Sequence, residues 1–318
     1  IDAIFEVYNA SLRKKNKEYF IYPPKMIFSV QGGIGTHEED DFLFRYYSVE
    51  STGWGTPFLL VPEATTVDDE TLNLLCNATE KDVVLSQNSP LGVRFHYLKG
   101  TSSENEKLLR IKNGKPGSPC TEKHLASNTE FTKEPICTAS HKYQKLKIAQ
   151  LQSLNLPEKE YGKQLNEVLD KECLCVGLSN AAAVSYKQTF IKTLKAVTIC
   201  PGPNITNFSK VVSLQAMTDH IYGRTNILTN NNRPHMFIAE LNLYIDYFKE
   251  EWENDIQAEQ FSKRKKYYTS FYQNLCNGIA YYRNLPVASN TTIRHQFIKD
   301  LDDARLEMDV LNYQYAII

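Results

Sequence analysis

The chain has 318 residues, 42% hydrophobic and 23% charged, the balance of a folded protein with room for one large or two medium domains. With 36 Lys and Arg against 37 Asp and Glu, the formal net charge is −1, which leaves no global basic field for nucleic acid. No apolar run approaches the roughly 18 residues that span a bilayer, so no membrane partner is expected.

Residues 1–20 carry Ile4, Phe5, Tyr8, Leu12 and Tyr19 at helical spacing, with a basic exit and a stop at Pro23-Pro24. This reads as an amphipathic helix and not a signal peptide. The start at Ile1 is expected to mark a fragment. Met26 to Val30 reads as a buried strand of a parallel sheet, and Gln31-Gly32-Gly33-Ile34-Gly35 as its turn. Thr36 is placed to cap a helix whose first turns, His37 to Asp41, hold four carboxylates at the positive end of the dipole. Its apolar face is Phe42, Leu43, Tyr46 and Tyr47.

A second strand is expected from Gly53 to Val61, with Gly55 inside it and Pro62 closing it. Asp68 caps a predicted helix over 69–79. A short apolar run over 82–86 precedes a turn and an extended piece ending at Phe95. Residues 100–136 are polar and rich in Gly, Pro, Ser and Thr, and read as one long loop. Two helices, 138–156 and 158–171, follow, broken at Pro157. The short apolar run 173–178 is read as a strand, and 196–200 is another apolar run. Helices are predicted over 208–222, 235–255, 258–283 and 291–312. The domain reading is 1–100, a connector over 101–137, and a mainly helical region over 138–318.

Glycines after a buried strand let backbone N–H groups approach a phosphate, and a following helix adds its dipole. The turn at Gly32-Gly33 recurs as Gly55-Thr56 about one βα unit later. Two adjacent strand ends of this kind make a two-sided phosphate cup, as after the last two strands of a TIM barrel. The pair QGGIGTHEE and GWGTPFLLVPEA resembles the end of the FMN-dependent barrels of the nitronate monooxygenase (2-nitropropane dioxygenase-like) family. The segment SPLGVRFHYLKG resembles the short stretch after that barrel. The resemblance covers residues 25–100. It implies an α/β fold in which 1–100 are the last βα units of an incomplete TIM-like barrel. It also implies that Gly32, Gly33, Gly55 and Thr56 hold the FMN phosphate, with Gln31 and Trp54 beside the cofactor. The family's catalytic histidine lies several strands upstream of the matched segment, so no catalytic residue is assigned here.

His37 is either an acid/base group at the barrel mouth or a solvated residue of a first helical turn. Cys120, Cys137, Cys173, Cys175 and Cys200 lie within 81 residues, several beside Gly or Pro, which suits an iron–sulfur or zinc site as well as ordinary buried thiols. As strand neighbours, Cys173 and Cys175 would face opposite ways. The loop holding Arg224 and Arg233, flanked by His220 and His235, is either an anion site or a connector. The basic run Lys263 to Lys266 reads as a solvated face. The sequons at Asn77, Asn204, Asn207 and Asn290 carry no meaning in the cytoplasmic setting that the spread cysteines suggest. The expected function is an FMN-dependent oxidoreductase acting on a small-molecule substrate. The alternatives are a non-catalytic helical scaffold and a metal or cluster protein.

Overall fold

A computed structural model describes residues 2–188, 196–257, 261–287 and 290–315. The chain is α/β and mainly helical, with two separate two-stranded sheets and no closed sheet among the described residues. Helix α1 (Asp2–Lys14) leads into β1 (Ser29–Gln31), α2 (His37–Tyr47) and β2 (Ser51–Gly53). A 3₁₀ turn over Thr56–Leu60 and α3 (Asp69–Asn77) precede β3 (Val83–Ser86) and β4 (Phe95–Leu98). Then come α4 (Ser102–Lys112), α5 (His141–Ser153), α6 (Glu158–Asp170), α7 (Leu174–Ser185), a 3₁₀ turn over Pro203–Asn207, and α8 (Leu214–Ile221). The chain closes with α9 (Met236–Gln257), α10 (Phe261–Arg283) and α11 (Thr291–Tyr315).

The strand–turn–helix–strand reading of residues 29–53 holds. β1 and β2 pair in parallel, with Ser29 opposite Ser51 and Gln31 opposite Gly53, and α2 makes the crossover. Both strands are shorter than expected, and β1 is not a buried strand: Ser29 and Gln31 are exposed and Val30 is half-buried. Residues 26–28 stay outside the ladder, and after Gly53 the chain turns into 3₁₀ instead of extending to Val61. Pro57 explains the second difference, since it lacks the N–H a continued ladder needs and suits the first turn of a helix. β3 and β4 form an antiparallel hairpin.

Three expectations are corrected. Residues 100–136 are not one loop: α4 is capped by Thr101, whose side chain accepts from the Glu104 amide. The run 173–178 is not a strand: Cys173 is the N-cap of α7 and 174–178 open the helix, with no strand pairing to them among the described residues. Helix α8 starts at Leu214, capped by Ser213, and residues 208–213 before it have no regular secondary structure. The expected helix start at 258 lies outside the described residues.

Two cores hold these parts together. In the larger, α9 supplies Ile238, Leu241, Ile245, Phe248 and Trp252, a stripe at spacings of three and four. α10 matches it with Tyr268, Tyr272, Leu275 and Ile279, and α11 with Phe297, Leu301, Ala304, Met308 and Leu311. The result is a three-helix bundle. Ile34, Phe42 and Leu43 from the first glycine turn and α2 complete the same core, so residues 34–49 pack as one body with the described residues of α9, α10 and α11. The smaller core gathers Leu60, Leu75, Val83, Leu98, Ile199, Ile205 and Phe208.

Candidate functional site

The two glycine turns lie side by side. Because β1 and β2 are parallel and Gln31 faces Gly53, both strands end at the same edge, and the turns Gly32-Gly33 and Trp54-Gly55-Thr56 leave from it together. Gly32 and Gly33 have φ of 96° and 73°, the left-handed region that glycine enters at no steric cost. Gly53 is glycine for a different reason: a Cβ there would stand 2.8 Å from the Gln31 Cβ. Gly55 has neither requirement. Its φ is −100°, and a Cβ would meet nothing within 4 Å.

The turn is held from behind by one buried ion pair. The guanidinium of Arg233 grips Glu39 through both nitrogens, at 2.6 and 2.9 Å, and donates to the Gly33 carbonyl at 2.8 Å. Glu39 in turn accepts from the amides of Gly35 at 2.8 Å and Met236 at 2.6 Å, and closes a capping box with Thr36. A Cβ on Gly35 would press on the guanidinium at 2.6 Å. Asn204 donates to the Ile34 carbonyl at 2.9 Å, and His220 Nε2 donates to the Gly35 carbonyl at 2.9 Å.

Two of the four carboxylates at the start of α2 are matched by a cation and a third by a neutral donor. Glu39 is paired with Arg233, Asp40 accepts from the Trp54 indole at 3.1 Å, and Asp41 pairs with Arg45. Of the residues expected beside a ligand, Gln31 is exposed across from Gly53. Trp54 is half-buried, its ring edge-on to His220 at 5.8 Å. The Thr56 hydroxyl accepts from the Gly202 amide at 3.0 Å, which leaves its own proton to donate.

His37 has a structural job: Nδ1 donates to the Ile221 carbonyl at 3.0 Å, tying α2 to α8. Burial pushes the His220 pKa down, and its Nδ1 accepts from the Ile227 amide at 3.4 Å, so both nitrogens of the neutral ring are used. Arg224 pairs with Asp219, and Arg264 of the basic run pairs with Asp255 and Glu251. The loop arginine that matters is Arg233, and it serves the turn itself. No feature of its own segment announces a partner 194 positions upstream.

No family model, no curated protein and no solved structure matches this chain. Among the described residues, no helix is long and apolar enough to cross a membrane.

Proposed function

We propose that the paired turns hold the phosphate of FMN, and that this chain supplies the phosphate-binding end of an FMN-dependent oxidoreductase of nitronate monooxygenase type. The observation that carries this reading is Gly55. The fold gives it no reason to be glycine, yet it stands at the end of a parallel pair, directly beside a second glycine turn with open space at Gly32. A backbone without a side chain at both places is what close approach by a phosphate requires.

The donors fit an anion. The amides of Gly33 and Gly55 and the free proton of the Thr56 hydroxyl are the contacts that this reading uses. The Glu39–Arg233 pair offsets one of the four carboxylate charges at the adjacent helix start, and the Asp41–Arg45 pair a second. The flavin would supply the redox chemistry, and the residues here would bind and orient it.

The test compares FMN with riboflavin, which differ by the phosphate alone. Equilibrium dialysis of the full chain is expected to show FMN bound at least tenfold more tightly, with most of that preference lost in Gly55→Val. Equal binding of the two, or no binding of either, would overturn the proposal.

A further inference from the structure

A third glycine reaches the paired turns from 146 positions away: the Gly202 amide donates to the Thr56 hydroxyl at 3.0 Å. Its φ of −68° and ψ of 160° are backbone angles that any residue adopts. A Cβ there would stand 2.8 Å from Thr56 Oγ1, and beyond its own chain neighbours it would meet no atom outside Thr56 within 4 Å. Glycine at this position therefore serves one contact, the approach of its backbone to that hydroxyl.

The segment that carries Gly202 is stiff and anchored. Pro201 and Pro203 flank it, each with a ring that fixes its own φ. Ile199 and Ile205 on either side are buried in the smaller core, beside Leu60 of the 3₁₀ turn that Thr56 opens. Next in the segment, Asn204 holds the Ile34 carbonyl at 2.9 Å and accepts from Arg233 Nε at 3.3 Å. Residues 202–204 thus make one bond to each glycine turn, Asn204 to the first and Gly202 to the second.

A hydroxyl has one proton to give and can accept at the same time. In a half-buried threonine the proton can turn to several sides of the oxygen. An amide held at 3.0 Å removes one of those sides, because a donor cannot face a donor. Among the described residues no carbonyl or carboxylate takes the Thr56 proton, so it stays available to a ligand and turned away from residue 202.

We propose that Gly202 is a positioning residue of the phosphate site: its amide occupies the acceptor side of the Thr56 hydroxyl and so presents the hydroxyl proton to a bound phosphate. The inference rests on the reading of the paired turns as an FMN phosphate site, and it adds to that site a residue from a distant loop. A donor set in place beforehand has less freedom to lose when the anion arrives.

The test is equilibrium dialysis of the full chain with FMN and with riboflavin, for wild type, Gly202→Ala, Thr56→Val, Thr56→Ser and the double variant Gly202→Ala, Thr56→Val. Gly202→Ala pushes the hydroxyl off its place and is expected to weaken FMN about fivefold, roughly the worth of one hydrogen bond, with riboflavin unchanged. Thr56→Val keeps the shape and loses the hydroxyl, and the same selective loss is expected. Thr56→Ser keeps the hydroxyl and should retain the preference for FMN. The double variant should bind FMN no more weakly than Thr56→Val, since Gly202 acts only through the hydroxyl. Equal binding of FMN and riboflavin by the wild-type chain would remove the phosphate site and this inference with it. With the wild-type preference present, the inference alone falls if Gly202→Ala keeps that preference, or if adding Gly202→Ala to Thr56→Val weakens FMN further. Retention of the preference in Thr56→Val would overturn it whatever Gly202→Ala does. Failure of Gly202→Ala to fold, read by circular dichroism, would also count against it, because the glycine would then serve more than Thr56.

Discussion

Glu39 and Arg233 stand 194 positions apart and meet in a two-pronged, buried ion pair. The pair joins the start of α2 to the entry of α9 and fixes the carbonyl of Gly33 between them. Removing one partner of a buried pair leaves the other charged and unpaired, at a cost of about 3–5 kcal/mol. Arg233→Ala is therefore expected to lower the urea midpoint sharply. Arg233→Lys is expected to recover only part of the loss, because an ammonium cannot grip both carboxylate oxygens. The double variant Glu39→Gln, Arg233→Met should be more stable than Arg233→Ala, and an unchanged midpoint in Arg233→Ala would refute this account.

At Gly55, stability and binding should part company. Ala is compatible with φ −100° and meets nothing nearby, so Gly55→Ala should leave the protein as stable or more stable, by about 0.4–1 kcal/mol. If the turn holds a phosphate, the same change weakens FMN and leaves riboflavin untouched. Gly35→Ala is the contrast. There the added methyl presses on the Arg233 guanidinium, and a loss of stability is expected with any ligand effect following from it. Urea melts of both variants beside FMN and riboflavin titrations check the pair of outcomes.

Much of this architecture is legible in the chain itself. Thr36 with Glu39 and Asp68 with its following helix are local signals, and both caps are present. The stripes of α9 to α11 are periodic over many turns, which makes long helices the easiest elements to read. Helix α4 was hidden because only Ser103 on it is buried, so it has no apolar stripe to read. The pattern Thr101-x-x-Glu104 was the one available signal. The first turn of α7 was hidden for the opposite reason: a short unbroken apolar run fits strand and buried helix alike. The Glu39–Arg233 pair is a tertiary fact, since no spacing rule links positions so far apart.

The bundle offers a test of a buried polar contact. Tyr268 is fully buried and donates to Asp255 Oδ2 at 2.6 Å, with the Glu251 carbonyl at 2.9 Å. Asp255 keeps Arg264 at 2.7 Å whatever happens to Tyr268. Tyr268→Phe should therefore cost about 1.5–3 kcal/mol, the loss of a hydrogen bond to a charged group that still has a partner. Trp252→Ala beside it opens a cavity and should cost about 3–5 kcal/mol. Chemical denaturation followed by circular dichroism ranks them, and equal costs would show that packing does not dominate this contact.

The pH dependence follows from the histidines. Burial depresses the pKa of His220, His235 and His96 in the folded chain, while in the unfolded chain each titrates near about 6.5. Below about pH 6.5 the unfolded state then binds more protons than the folded one, so stability rises with pH there and is lost on acidification. Each histidine can contribute at most about 1.4 kcal/mol per pH unit within its window. The depressed carboxylates Asp82, Glu130 and Asp219 act in the same direction, but only near and below their usual range, around pH 4. In the interval from about pH 6.5 to 5 the histidines act together with Cys120, whose thiol the Cys137 contact brings down to about 6. His220 is the most informative, since its protonation would turn the Nδ1 acceptor of the Ile227 amide into a donor facing a donor. His220→Gln can still donate to Gly35 and carries no proton equilibrium, so it is expected to flatten the stability curve across that interval. Unfolding free energies of wild type and variant at pH 7.5, 6.5, 6 and 5, values chosen to bracket about 6.5, decide it. Parallel curves would remove His220 from the explanation.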